Sequence, residues 1–241
     1  MIFNFNTWLG RIPIFGHLAA KIVTNFLARR FQGSAGYWIR RYQQGGDSGA
    51  GSYHKFAEFK GEILNNFVAR NRVNSVIEYG CGDGNQLRLA RYPAYIGFDI
   101  SDRAISLCRE MFSSHRSKQF KLMHDYDGER ADLTISLDVI YHLTEDDAFE
   151  SYMKRLFDSS DRYVIIYSSD TGEQAKLQAP HVKHRKFTQW VETNVPSWKL
   201  IQYIPNRFPY TGDEQEGSFA DFYIYEKCED ESLSPCPIRS A

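Results

Sequence analysis

The sequence predicts an α/β fold in which helices cover both faces of a doubly wound, mostly parallel sheet of seven strands. Apolar, β-branched runs alternate along the chain with amphipathic segments at helical spacing, as in successive βα units. The run at 74–79 leads into three closely spaced glycines, which is the strand–turn–helix order of a first nucleotide-binding unit. The last two predicted strands lack a helix between them, which predicts an antiparallel edge.

Each predicted element depends on a local pattern. The helix at 53–72 shows an apolar stripe that includes Phe56, Phe59 and Leu64, and Thr144 begins a helix with acids in its first turn. The predicted helices are 15–31, 53–72, 86–91, 103–112, a helix from Thr144 onward and 187–193, and the predicted strands are 74–79, 94–101, 120–124, 131–137, 163–168, 198–204 and 220–225.

The N-terminal part of the chain precedes this core. Residues 15–31 form an amphipathic helix that packs on the domain or on a second subunit, or alternatively contacts a membrane surface or a partner protein. The glycine-rich residues 33–52 are too flexible for a rigid element, so they are a linker or a lid over a ligand. Tyr42 and Ser48 are its candidate substrate contacts. We therefore divide the chain into an extension (1–52), a core domain (53–227) and a tail (228–241).

Length and composition exclude several classes of protein. The 241 residues suit one α/β domain, and a net charge of −1 gives no sign of a nucleic-acid partner. The four cysteines form no C-x-x-C pair, which argues against a disulfide framework or a zinc site and fits a reducing cytoplasm. We recognise no signal peptide and no apolar run long enough to span a membrane. The oligomeric state is not predicted.

The glycine turn is the strongest motif. Glu78 lies two residues before Gly80, and glycines follow at 82 and 84, so the pattern is E-x-G-x-G-x-G. It differs from the dinucleotide fingerprint G-x-G-x-x-G. Glycine permits positive φ and lets a ligand approach the backbone, although a tight turn without a ligand is the alternative.

This motif resembles motif I of class I methyltransferases that depend on S-adenosylmethionine (SAM). The resemblance covers residues 53–227 and implies a Rossmann-like methyltransferase fold with SAM as cofactor. It implies that Glu78 acts near the charged methionine end of the cofactor and that the glycines line the cofactor. It also implies that Asp125 or Asp127 reads the adenine and that the segment after the fourth strand lies beside cofactor and substrate.

Asp99 is the best single ligand candidate after the glycines. It ends the second strand, where an acid faces the same crevice as the glycine turn and accepts hydrogen bonds from ribose hydroxyls. Its alternative role is a helix N-cap, which Ser101 or Asp102 fills equally well. The full set of candidate cofactor contacts is Glu78, Gly80, Cys81, Gly82, Asp99, Ile100, Asp125, Leu137, Asp138 and Val139.

Three histidines follow predicted strands and are candidate general bases. They are His142, His181 and His184, with Tyr141 as a further possible proton donor. A three-histidine metal site is disfavoured because neighbouring basic residues repel a cation, so no metal is predicted. Arg185 instead suits a phosphate or carboxylate on the acceptor.

The acceptor is inferred from a weaker resemblance. Segments 45–52, 136–143 and 181–185 are similar to those of bacterial methyltransferases associated with surface-polysaccharide assembly, which implies O-methylation of a sugar, a sugar nucleotide or a phosphorylated glycan precursor. The N-P-P-Y segment of amino-directed methyltransferases is missing after the fourth strand. The alternatives are a non-catalytic SAM-binding scaffold and a nicotinamide oxidoreductase.

Overall fold

A computed structural model describes residue 31 and residues 33–174 and 178–228. The helices are α1 (Gly33–Gln43), α2 (His54–Arg70), α3 (Asp102–Met111), α4 (Asp146–Asp158) and α5 (Phe187–Asn194). The strands are β1 (Ser75–Tyr79), β2 (Ala94–Asp99), β3 (Lys118–Leu122), β4 (Ala131–Leu137), β5 (Ser160–Ser168), β6 (Trp198–Ile204) and β7 (Asp221–Lys227).

The sheet confirms the predicted architecture. Its seven strands run in the order β3-β2-β1-β4-β5-β7-β6. Strands β1 to β5 pair in parallel, and β7 pairs antiparallel with both β5 and the edge strand β6. Because no helix separates β6 from β7, the chain returns beside β6 in the opposite direction, as the sequence predicts.

The core consists of two apolar layers, one on each face of the sheet. Neighbouring residues of β1 point to opposite faces, so Val76 belongs to one layer and Ile77 to the other. Helices α2 and α3 cover the first layer through residues such as Leu64 and Cys108, while α4 and α5 cover the second. A strand buried on both faces explains why β1 reads as a continuous apolar run.

The main correction concerns residues 33–52, which were predicted to lack a rigid element. Residues 33–43 form α1, and only the following glycine-rich part is irregular. Ser34 anchors the start of α1, since its backbone N–H and its hydroxyl both donate to the Glu145 carboxylate, at 2.9 and 2.5 Å. Four of the six glycines in this segment lie beyond α1, so they do not interrupt it, while Gly33 begins the helix and Gly36 lies within it.

Smaller differences concern other elements. The segment predicted as a helix at 86–91 forms a short 3₁₀ turn, Gln86–Leu89, because the chain soon enters β2. The third strand is Lys118–Leu122 rather than 120–124. The predicted helix at 15–31 lies outside the described residues, apart from Phe31. Among the residues with a described structure, no helix is long and apolar enough to cross a membrane.

Candidate functional site

A cavity of about 280 Å³ opens at the carboxyl ends of β1, β2 and β4. This edge of a parallel sheet is where α/β proteins bind ligands. The strand ends contribute Glu78, Asp99 and Asp138, and helices α1 and α2 contribute Trp38 and Lys60. The predicted cofactor contacts that line the cavity are Glu78, Gly80, Cys81, Gly82, Asp99, Ile100, Leu137, Asp138 and Val139.

The three glycines of the turn have positive φ values, +85° at Gly80, +58° at Gly82 and +80° at Gly84. Because these glycines have no Cβ, other residues of the protein can also pack closely against them. A Cβ at Gly80 would collide with Val139, and one at Gly82 would collide with the hydroxyl oxygens of Ser48 and Tyr42. The glycines therefore let neighbouring segments close against the turn, which the motif alone does not reveal.

Glu78 is a buried carboxylic acid on the cavity wall. The Tyr95 hydroxyl donates to its Oε2 at 2.7 Å. Burial disfavours the charged carboxylate and raises the pKa of Glu78 to about 7, against the opposing effects of Tyr95 and of the Lys60 charge. Glu78 is thus poised to ionise when a cationic group enters the cavity.

Asp99 braces the glycine turn. Its Oδ2 accepts a hydrogen bond from the Gly82 N–H at 3.0 Å, and its Oδ1 accepts one from the Ser101 N–H at 2.9 Å. Burial raises the pKa of Asp99 to about 6. The N-cap of α3 is Ser101, whose hydroxyl accepts from the Ala104 N–H. Asp99 therefore leaves the capping role to Ser101 and faces the cavity.

Asp138 joins three parts of the site. Its backbone has φ +59°, a strained value for a non-glycine residue. Its Oδ2 forms an ion pair of 2.6 Å with Lys60 Nζ, and its Oδ1 accepts from the Tyr141 hydroxyl at 2.8 Å. Tyr141, a predicted catalytic residue, is thus a buried partner of Asp138 and does not line the cavity.

Lys60 is the main residue that sequence reasoning missed. Its residue exposure is 1%, although it sits in α2 among residues that pack in the core. The sequence does contain a sign that Lys60 is buried. Lys60 lies four residues after Phe56 and four before Leu64, on the same apolar stripe. A lysine on such a stripe indicates a buried ion pair or a ligand contact.

The segment 44–52, called here the lid segment, is docked on the glycine turn. Ser48 and Asp83 exchange two hydrogen bonds, from the Ser48 N–H to Asp83 Oδ2 at 2.9 Å and from the Asp83 N–H to Ser48 Oγ at 3.0 Å. The Tyr53 hydroxyl donates to the same Oδ2 at 2.6 Å, and Tyr42 pairs with Ser48 at 2.8 Å. Tyr42 and Ser48 line the cavity, but Ser48 also holds the lid segment closed.

His142 is the predicted base that reaches the cavity wall. Its Nδ1 lies 3.0 Å from the carbonyl oxygen of His181, which only accepts, so Nδ1 carries the proton. Burial lowers the pKa of His142 to about 4. The ring is therefore neutral at pH 7, with the lone pair on Nε2. Trp38 packs edge-on against this ring at 4.9 Å.

The other histidines lie outside the cavity lining. His181 stacks on Tyr37 with ring centroids 4.1 Å apart, and burial lowers its pKa to about 3. His184 contacts Ser169 Oγ through Nδ1 at 2.7 Å and packs against Phe219. The His181 ring thus contacts α1, and the His184 ring contacts residues that follow β5 and precede β7. Among residues 31, 33–174 and 178–228, no cluster has the ligands for a metal ion.

Arg185 binds groups at the start of α4. Its guanidinium donates to the carbonyl groups of Leu143 and Thr144 and pairs with Asp146 at 2.8 Å. Lys183 binds the same carboxylate at 2.6 Å, and both cations hold the pKa of Asp146 down to about 2. The predicted acceptor contact thus neutralises the Asp146 carboxylate at the start of α4 and does not line the cavity.

Asp125 also lies away from the cavity wall. It is exposed and lies 3.5 Å from His124 Nε2, while Met123 occupies the corresponding part of the lining. Gln86 adds an unpredicted polar group, because its side chain is buried and its Oε1 has no hydrogen-bond partner among the described residues. Gln86 is also one of the residues that line the cavity.

Comparison with known proteins shows which family the chain matches. Residues 71–212, more than half of the chain, match a family model described as a methyltransferase domain. No curated protein matches the chain.

Solved methyltransferases share the fold. The N-methyltransferase NodS from Bradyrhizobium japonicum WM9, in complex with S-adenosyl-L-homocysteine, is 14% identical, with a TM-score of 0.56 over 72% of this chain and 88% of that one. Magnesium protoporphyrin IX methyltransferase from Synechocystis PCC 6803 with bound SAM is 16% identical, with a TM-score of 0.53 over 71% and 79%. A putative RNA methyltransferase from Pyrococcus horikoshii is 13% identical, with a TM-score of 0.54 over 73% and 88%.

Proposed function

The chain belongs to the methyltransferase family and uses SAM as its cofactor, and we propose that it transfers the methyl group to oxygen on a small polar acceptor. A sugar or another glycan precursor is the leading class of acceptor. The observation that carries the proposal is His142, a neutral imidazole on the cavity wall whose Nδ1 is engaged and whose Nε2 is free to accept a proton.

The residues present fit the cofactor. The cavity wall offers acids at three strand ends, the polar residue Gln86 and a glycine turn. We propose that Asp99 accepts hydrogen bonds from the ribose, that Gly80 and Gly82 border the cofactor, and that Glu78 and Asp138 face its charged methionine end. When bound, SAM supplies the activated methyl carbon. We propose Cys81, Ile100, Leu137 and Val139 as further cofactor contacts, since they also line the cavity.

The protein's own part in the reaction is orientation and proton removal. A hydroxyl must lose its proton as the new bond to oxygen forms, and a neutral imidazole accepts that proton. The His181 carbonyl fixes the ring orientation of His142 through Nδ1. The Trp38 ring beside it supplies an apolar surface against which a sugar ring packs. A phosphate on the acceptor has less support, because Arg185 is engaged at α4.

The test measures transfer from SAM labelled in its methyl group to free sugars, sugar nucleotides and RNA. We expect His142→Ala to lower kcat about 100-fold, the scale of a lost general base, while the Kd for SAM changes less than about twofold. His184→Ala is the matched control, since His184 lies outside the cavity lining. Full turnover by the His142 variant would overturn the assignment of the base.

The pH profile gives a second readout. Because the pKa of His142 is about 4, its neutral form is complete above roughly pH 5. The wild-type kcat should therefore show no fall between pH 8 and 6 from this group and should decline only near pH 4.

Two rivals give different results in the same assay. A non-catalytic SAM-binding scaffold binds the cofactor and labels no acceptor. RNA stays in the panel because a putative RNA methyltransferase shares the fold, although we favour a small acceptor. We also propose a cytoplasmic location, for which the free, buried thiols of Cys81 and Cys108 are consistent support.

A further inference from the structure

Lys60 brings an unusual charge to the cavity wall. It belongs to α2, its exposure is 1%, and its Nζ lies 2.6 Å from Asp138 Oδ2 and 5.2 Å from the centre of the Tyr167 ring. An ammonium carries three N–H donors. Within residues 31, 33–174 and 178–228, Asp138 is its hydrogen-bond partner, so two donors remain for a ligand.

Burial makes such a group costly unless it is fully paired. Removing an ammonium from water costs several kcal/mol in general, which one carboxylate repays only in part. Lys60 lines the cavity, so a ligand in the cavity reaches the two remaining donors. The residue therefore fits a second anionic partner supplied from the cavity.

The positions of the charged side chains on the cavity wall indicate which part of the cofactor is the anionic partner of Lys60. Lys60 and Arg155 are the two lysine or arginine side chains of the lining within the described part of the chain. Arg155 approaches the Met123 carbonyl at 3.4 Å and packs over the Tyr126 ring at 5.0 Å, on the β3 side. Lys60 lies at the β4 side, beside Asp138, and its charge acts on Glu78.

The strand order gives the cofactor a direction across the sheet edge. Asp99 ends β2, Glu78 belongs to β1 and Asp138 follows β4, and these strands are neighbours in the order β2-β1-β4. If the ribose lies at Asp99, the methionine end extends past Glu78 toward Asp138. That end carries both an ammonium and a carboxylate, so it needs anionic and cationic partners together.

We propose that Lys60 binds the carboxylate of the methionine end of SAM. The ion pair with Asp138 holds the Lys60 ammonium in place for this contact. The inference rests on the cofactor placement proposed above. The lid segment reinforces the arrangement, because Gly51 lies so close to Asp138 that a Cβ there would be 2.8 Å from Oδ2. A closed lid segment thus keeps the ion pair against the cavity.

The experiment compares ligands by calorimetry on the full chain. S-adenosylhomocysteine carries the carboxylate, its decarboxylated analogue keeps the ammonium alone, and 5′-methylthioadenosine lacks both groups. The variants are Lys60→Met and the double variant Lys60→Met/Asp138→Asn, which leaves no unpaired charge in the core. Lys55→Met is the matched control, since Lys55 lies on the same helix but pairs with Glu216 at the surface.

We expect wild type and Lys55→Met to bind S-adenosylhomocysteine about tenfold more tightly than the decarboxylated analogue, a difference that corresponds to one charged hydrogen bond. In the double variant the two ligands should bind within about twofold of each other. The affinity for 5′-methylthioadenosine should stay within about twofold of wild type. Asp138→Asn should weaken the binding of both ligands that carry an ammonium equally. The ratio of their two affinities therefore reports on the carboxylate alone.

Two results would overturn the proposal. One is a double variant that keeps the tenfold preference, which would mean that Lys60 does not bind the carboxylate. The other is an equal loss of all three ligands, which would mean that Lys60 only maintains the fold. Because this experiment measures only binding, neither result bears on the role of His142 in catalysis. Conversely, a wrong assignment of the base would not change the binding measurements.

Discussion

At the scale of single residues, burial decides how the acids of the site behave. Glu78 and Asp99 end neighbouring strands, and both have raised pKa values, about 7 and about 6, because their charged forms lose water. Asp138 instead keeps two strong partners, Lys60 and Tyr141. Carboxylates that look alike in the sequence therefore respond differently to a cationic ligand.

Cofactor affinity should rise with pH because of Glu78. Its pKa in the ligand-free protein is about 7, so it is largely protonated at pH 6. A cationic methionine end favours the carboxylate, lowers that pKa and releases a proton. Affinity should therefore increase from pH 6 to 8, by up to about tenfold per pH unit below 7, and then level off.

Calorimetry in buffers with different ionisation enthalpies counts the released proton. Glu78→Gln is the control, because its amide oxygen still accepts from the Tyr95 hydroxyl. The proton release measured with this variant comes from the ligand itself and is subtracted. Equal proton release by wild type and by this variant would contradict the role of Glu78.

At the scale of elements, the lid segment and the glycine turn form one closed unit. The two hydrogen bonds between Ser48 and Asp83 connect residues 35 positions apart, and Gly82 leaves the space that the Ser48 and Tyr42 hydroxyls occupy. The residues of this contact line the cavity. We therefore expect entry and release of the cofactor to depend on opening it.

Ser48→Ala should speed cofactor release. The change removes the hydroxyl that accepts from Asp83 N–H and pairs with Tyr42, contacts worth about 1 kcal/mol each, so we expect the dissociation rate to rise about thirtyfold. Stopped-flow displacement of S-adenosylhomocysteine measures that rate. Gln44→Ala, an exposed position of the same segment, should leave it unchanged. An unchanged rate for Ser48→Ala would show that the lid segment does not limit release.

At the scale of the whole molecule, the cavity takes its wall from both sides of the predicted boundary at residue 52. Trp38, Tyr42 and Ser48 come from before it, and Glu78, Asp99 and Asp138 come from after it. The division into extension, core and tail stays a prediction. What the structure adds is that residues 33–52 close the ligand-binding edge of the sheet.

Two truncations test that arrangement. Deleting residues 1–52 should remove measurable SAM binding, because the cavity then loses α1 and the lid segment and opens to water. Deleting residues 1–30 keeps these elements, so we expect the Kd to change less than about threefold, since the deletion removes none of the described residues that line the wall. Calorimetry measures binding, and circular dichroism checks that both products fold. Retained affinity in the longer deletion would contradict the closing role of residues 33–52.

The fold class, the order of the strands and the acids at the ends of β1, β2 and β4 can be predicted without the structure. These features follow from short-range patterns: an apolar run ends in a turn, and parallel strands bring such ends to one edge. Asp99 is therefore predicted from its position, and Glu78 from its position together with the resemblance of the glycine turn to motif I.

Only the tertiary structure decided which of the three histidines meets the cavity, that Arg185 does not, and that Lys60 does. Lys60 and Asp138 are 78 positions apart, and His142 contacts His181 across 39. Such contacts depend on how helices and loops pack over the sheet, and side-chain spacing along the chain carries little information about that packing. The physical reason is that local periodicity records which face a residue occupies, whereas the partner on that face is set by the fold as a whole.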